Sequence, residues 1–167
     1  MSQSPERATL RTLIRVAVEG TGAARGRLLA VSPESDELHV MAGHGGSNLW
    51  QARSPGDMAR YVAASGQPQV LSHGAQVAAT LCVPCFYDDK VVGTLEVEDK
   101  RNGLPFTVDD LELAVLLGGI AGVALVDSPV ATVPDPSRLV ADLRRLATAD
   151  ASRYAVVARW LRTLLDA

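Results

Sequence analysis

The 167-residue sequence is poor in aromatic side chains, at 4%, and holds only two cysteines. So few aromatics leave no stacking platform for nucleic-acid bases. Two cysteines in a chain of this length do not make a disulfide framework. No run approaches the roughly 20 apolar residues of a membrane-spanning helix. The longest apolar stretch, Ala114 to Val126, is shorter and is interrupted by Gly118, Gly119 and Gly122. The segment Met1 to Arg7 lacks a basic stretch leading into an apolar core, so no signal peptide is expected and a cytoplasmic location follows by default. A net charge of −3 does not call for nucleic acid or a membrane as a partner.

What the chain does have is core material, with 47% hydrophobic residues. Its charge is uneven. Six arginines face three aspartates in residues 137–167, giving +3 there and −6 in the remainder. A solvated basic helix face explains the tail, and docking on an acidic surface is the sharper alternative.

Pattern along the chain gives an order of elements. Pro5 after Ser4 predicts a helix start, and Leu10, Leu13, Ile14, Ala17 and Val18 form one apolar stripe ending before Gly20 and Gly22. Arg27 to Ser32 and Glu37 to Ala42 read as a hairpin around Pro33–Asp36, with Leu38, Val40 and Ala42 on one side and His39 and Met41 on the other. Gly43 to Asn48 reads as a loop, and Ser54-Pro55 opens a short helix closed by Gly66. Gln67 to Leu71, Ala79 to Tyr87 and Val91 to Glu98 read as strands, the last two joined by the turn Asp88-Asp89-Lys90. Pro84 predicts an edge position or a bulge. Thr107 and Asp110 form a capping box for a long helix to Val126. These elements make residues 1–126 one domain, 127–136 a linker, and 137–167 a helical tail with a break near Thr148 to Asp150. Tyr154, Val157, Trp160, Leu161 and Leu164 give that tail an apolar stripe. The fold class is α+β, with a mostly antiparallel sheet and helices able to collect on one face.

Three stretches in order resemble the GAF domain family. They are Gly56 to Pro68, with its Ser-Gly-x-Pro exit; Leu81-Cys82-Val83-Pro84 with Val91 to Val97; and Pro105 to Leu113. The resemblance covers roughly residues 5–126. It implies a GAF/PAS-like sheet of five to six strands with the N- and C-terminal helices packed on one face. It also implies a sensory or regulatory module without catalysis, signalling through protein contacts. Members of this family bind small molecules between sheet and lid, or only dimerise. The family's Asn-Lys, Phe, Asp-Glu motif matches Asp99-Lys100, Phe106 and Asp110-Leu111, with the Asn and Glu replaced. The seven residues Ser72 to Ala78 are too few to cover a nucleotide or a tetrapyrrole, so no cofactor is expected.

The candidate ligand residues are Thr94, Glu96 and Glu98, which share one face of a strand, with Met41, Trp50, Met58 and Tyr61 as apolar walls. A carboxylate row of this kind suits a cation or an amine; a solvent-facing acidic strand is the plainer reading. Gly118 and Gly122, with Leu10, Leu13, Ile14 and Ala17, are the candidate surface for a homodimer, as the resemblance implies for first and last helices; packing on the domain's own sheet is the alternative. A signalling partner protein is a further expected contact. Three functions stay open: a small-molecule sensor, a ligandless dimerisation scaffold, and a thiol redox protein using Cys82 and Cys85. A strand places those two cysteines on opposite sides, which suits core packing better than redox work. His39, His44 and His73 are isolated, so no metal is expected.

Overall fold

The computed structural model describes residues 5–72, 78–127 and 136–152, together with 154, 155 and 158. The chain divides into two compact units, Met1–Val130 and Ala131–Ala167. In the first, helix α1 (Pro5–Thr21) leads into strands β1 (Ala23–Val31) and β2 (Leu38–Gly45). Two short helices follow, α2 (Asn48–Gln51) and α3 (Asp57–Ser65), then strands β3 (Gln69–Leu71), β4 (Thr80–Tyr87) and β5 (Lys90–Lys100), and helix α4 (Val108–Asp127). The strands form one antiparallel sheet in the order β2-β1-β5-β4-β3. The second unit contains α5 (Pro136–Ala149), which stops at Asp150, with residues 151 and 152 helical again.

One face of the sheet is covered by α1 and α4. Leu28, Ala30, Leu81, Val83, Cys85, Leu95 and Val97 project from the strands into a cluster with Leu10, Ile14, Ala17 and Val18 of α1 and Ala114, Leu117, Ala121 and Leu125 of α4. Both helices supply these residues at three- and four-residue spacing, so each buries one stripe. Burying each of the larger side chains stabilises the fold by about 1.5–3 kcal/mol. Glycine lets α4 approach β4 closely. A Cβ at Gly118 would lie 2.9 Å from the Pro84 carbonyl oxygen, and one at Gly122 would collide with the Phe86 carbonyl.

The start of α4 is fastened as the sequence predicts. Thr107 Oγ1 accepts from the Asp110 amide at 3.3 Å, and Asp110 Oδ2 accepts from the Thr107 amide at 2.7 Å. Lys100, at the end of β5, joins the same carboxylate. Burial pushes the Asp110 pKa up, but the hydrogen bonds from Lys100 and Thr107 outweigh it and hold the carboxyl below its ordinary value.

Several expectations are corrected. Gly43–Asn48 is not all loop: Gly43–Gly45 extend β2, and Ser47 caps α2, its hydroxyl accepting from the Trp50 amide at 3.1 Å. The next helix begins at Asp57, after an extended Gly56, rather than at Ser54. The expected single row Leu38, Val40, Ala42 is split by a register shift: Leu29 faces Val40, but Leu28 faces Ala42. Ala42 therefore joins the α1–α4 side, while Leu38 packs with the cluster under α3. Pro84 lies beyond the short pairing of β3 with Thr80–Cys82, and a register shift follows at Cys85/Phe86. The proposed Ser4 cap, most of the Ser72–Ala78 connection with His73, and Val157, Trp160, Leu161 and Leu164 of the tail lie outside the described residues.

Candidate functional site

The other face of the sheet is built differently. Alternation along β1 places Arg25 and Arg27 on this face, and alternation along β5 does the same for Thr94, Glu96 and Glu98. The antiparallel register sets Arg27 directly opposite Glu96 and Arg25 directly opposite Glu98. Arg27 Nε donates to Glu96 Oε2 at 2.6 Å, with both side chains almost wholly buried. Arg25 Nε donates to Glu98 Oε2 at 3.1 Å. An ion pair this deep survives only with further hydrogen bonds around it.

Those bonds come from the segment after β2. The Trp50 indole Nε1 donates to Glu98 Oε2 at 3.0 Å. Arg53 Nη2 donates to Glu98 Oε1 at 3.3 Å, and the Arg53 carbonyl accepts from Arg27 Nη1 at 2.6 Å. The Arg25 and Arg27 guanidinium carbons stand 5.0 Å and 5.5 Å from the Trp50 ring centroid, within cation–π range. Among the described residues, Arg27 Nη2 is buried without a hydrogen-bond partner. Residues 47–53 thus close over the centre of this face.

Three of the seven expected ligand residues are brought together: Trp50, Glu96 and Glu98. The two carboxylates are engaged by the protein's own arginines, so the row is neither a solvent-facing acidic strand nor an open amine site. Thr94 shares the buried face. Met58 packs under α3 with Ala59, Val62 and Cys82. Tyr61 is 54% exposed, and Met41 packs with the α1–α4 cluster because of the register shift in β2. Neither forms a wall over the carboxylates. Arg25, Arg27 and Arg53 escaped the sequence reading. A signal was there: Arg-Gly-Arg in one strand matches Glu-Val-Glu in another, charge for charge at a spacing of two.

A cleft of about 780 Å³ lies between α3 and the β1–β2 turn. Its apolar lining comes from Val31, Leu38, Pro55, Ala63 and Val91, and its charged lining from Arg60 on α3 and from Asp36 and Glu37 on the turn. Such a volume is within the range of small-molecule sites. Four separate segments contribute, so no local pattern announces it.

The expected dimer residues are otherwise employed. Leu10, Ile14 and Ala17 are fully buried in the domain's own core, with Leu13 packed against it, and Gly118 and Gly122 meet β4. A second subunit cannot reach the five buried ones, so the assignment is corrected for Leu10, Ile14, Ala17, Gly118 and Gly122, while Leu13 stays half-buried. Cys82 and Cys85 are free, buried and on opposite faces of β4. Burial pushes the Cys85 thiol up to about 12; burial first, then the Glu96 carboxylate, pushes Cys82 well up too. Both stay protonated and poorly nucleophilic near neutrality. Among the described residues, no group of three or more His, Cys, Asp or Glu is placed to hold a metal ion, and no helix is long and apolar enough to cross a membrane.

The GAF domain family model matches residues 5–125, and the chain belongs to that family. GAF domains are sensory and regulatory modules of signalling proteins. The fold is similar to that of the GAF domain from an Acinetobacter phosphoenolpyruvate-protein phosphotransferase, at 14% identity and a TM-score of 0.64, covering 80% of this chain and 90% of that one. It is similar to the second GAF domain of DevS from Mycobacterium smegmatis, at 20% identity and a TM-score of 0.59, over 84% and 99%. It is also similar to a type II free methionine-R-sulfoxide reductase from Thermoplasma acidophilum, at 11% identity and a TM-score of 0.59, over 71% and 91%. No curated protein matches the chain in sequence. In this chain the matched motif residues act as a clasp: Lys100 pairs with Asp110 and stands 5.8 Å from the Phe106 ring, while Asp99 takes a left-handed conformation at φ 63°.

Proposed function

We propose that this chain is a non-catalytic regulatory GAF module that works in the cytoplasm through protein contact, pairing with a second copy along the outer face of α4. One observation carries the reading. Leu116, Ile120 and Val123, at the i, i+4 and i+7 positions of one helix face, are 69%, 56% and 52% exposed. Gly119 sits among them with open space around it, and no charged residue interrupts the helix between Glu112 and Asp127. An apolar stripe of this length on a helix is a surface that association covers. A two-fold arrangement would bring the same stripe from each copy together, with Gly119 allowing close approach. The sealing of the sheet's other face by Trp50 and Arg53 adds support, since it leaves the centre of that face unable to take a large ligand. Two buried, protonated thiols suit a reducing compartment and a role without thiol catalysis.

The test is mass measurement in solution by light scattering after size-exclusion chromatography. The native chain is expected to run as a dimer. Leu116→Glu and Ile120→Glu are expected to run as monomers with unchanged circular dichroism, because both positions are exposed in the single chain. A native monomer at tens of micromolar, or a dimer that ignores both substitutions, would overturn the reading.

A further inference from the structure

We propose that the cleft between α3 and the β1–β2 turn binds a small zwitterion with an apolar body, its carboxylate on Arg60 and its ammonium on Asp36 and Glu37. The proposal goes beyond pairing through α4 and does not depend on it.

The cleft carries charge of both signs. Its cation and its anions come from different elements, Arg60 from the helix and the two acids from the turn. Val31, Leu38 and Val91 line the space as well. A ligand that satisfies such a lining needs charge of both signs and an apolar part. An anion alone would face Asp36 and Glu37, and a cation alone would face Arg60. The cleft volume of about 780 Å³ accommodates a molecule of amino-acid size.

Arg60 is available for this task. Its ion pair to Asp57 spans 3.6 Å, with the two side chains 62% and 104% exposed, so solvent screens it and little is lost when the guanidinium turns away. Turned toward a carboxylate, the same group can donate two parallel hydrogen bonds. Glu96 and Glu98 offer no such freedom, since each is already held by arginines.

The cleft is also wired to the sheet. Its walls Ser54 and Pro55 directly follow Arg53, whose carbonyl and guanidinium hold Arg27 and Glu98. Trp50 donates to the same Glu98. A ligand pressing on Ser54 and Pro55 therefore acts on a segment anchored to β1 and β5, whose opposite face carries α1 and α4. Trp50 serves as a natural reporter of occupancy.

The experiment is titration of the native full chain with four probes, followed by amide NMR spectra and, in a Trp160→Phe background, by Trp50 fluorescence. L-leucine and L-phenylalanine carry both charges on apolar bodies. 4-Methylpentanoate lacks the amine of leucine, and isopentylamine lacks its carboxylate. At least one amino acid is expected to give saturable shifts at Val31, Leu38 and Ala63 and a change in Trp50 emission. Each half-probe is expected to bind about ten-fold more weakly or worse, as loss of one charge-assisted contact requires. Arg60→Ala, on an exposed position, is expected to weaken the amino acid by a similar factor with the spectrum otherwise intact; Asp36→Asn with Glu37→Gln should do the same. Absence of saturable shifts for both amino acids at tens of millimolar overturns the proposal. So does binding indifferent to Arg60→Ala, or isopentylamine binding as tightly as leucine, which would make the cleft a plain cation site. Repeating the titration on Leu116→Glu separates this result from the pairing of copies, since that substitution lies on α4, away from the cleft lining.

Discussion

The two faces of the sheet are made from the same strands by opposite chemistry. Toward α1 and α4 the strands present mostly aliphatic side chains, with Gly26 and Gly93 where the helices' side chains come close. Toward α2 and α3 the alternate residues include Arg25, Arg27, Thr94, Glu96 and Glu98, and burial there depends on paired charge. The contrast teaches where specificity resides. Aliphatic packing tolerates exchange among residues of similar size, whereas a buried ion pair accepts one register and one set of partners.

The sharpest way to break this contrast is to mutate neighbours that point to opposite sides. Arg27 and Leu28 are both fully buried. Arg27→Ala strands the Glu96 carboxylate and is expected to cost about 3–5 kcal/mol in urea unfolding. The double change Arg27→Met with Glu96→Leu should recover most of that loss, because an apolar pair of similar volume requires no partners. Leu28→Ala is expected to cost about 2–5 kcal/mol by leaving a cavity, with no single second-site change restoring it. If the apolar double variant stays as unstable as Arg27→Ala, burial on the two faces rests on the same chemistry and the contrast fails.

A smaller effect is expected at the contact of α4 with β4. Gly122→Ala gains helix propensity but drives a methyl into the Phe86 carbonyl, and should lose about 1–3 kcal/mol net. Gly119→Ala meets open space and should gain up to about 1 kcal/mol, measured on the Leu116→Glu monomer so that association does not interfere.

Asp110→Asn should cost about 1 kcal/mol through the weakened cap. It also changes the response to acid. The folded state holds this carboxyl below its ordinary value, so its contribution is complete above the unfolded value of about 3.9 and is lost as pH falls through the lower folded value. Native protein should therefore show a steeper loss of stability in acid below that point than Asp110→Asn does.

Cys82 and Cys85 should resist a thiol reagent at mildly alkaline pH in the folded protein and react fully in denaturant, since both are buried and held protonated. A fast-reacting native thiol would reopen the redox reading.

The capping box at Thr107 and Asp110, the stripe of α1 and the two hairpins were legible because each is a local pattern of a few residues with its own physical cause. The sequence also placed Thr94, Glu96 and Glu98 on one face, as strand alternation requires. It did not reveal what those residues meet. Arg27 is 69 positions from Glu96, and Trp50 is 48 from Glu98, so their pairing depends on which strands lie side by side. The same limit reversed the reading of α4. Gly118, Gly119 and Gly122 look alike along the helix, yet two face β4 and one faces solvent. Periodicity separates the faces of a helix but does not say which one the sheet will take. That choice, the split row in β2 and the cleft built from four segments were decided by tertiary packing, because each depends on contacts between residues far apart in the chain.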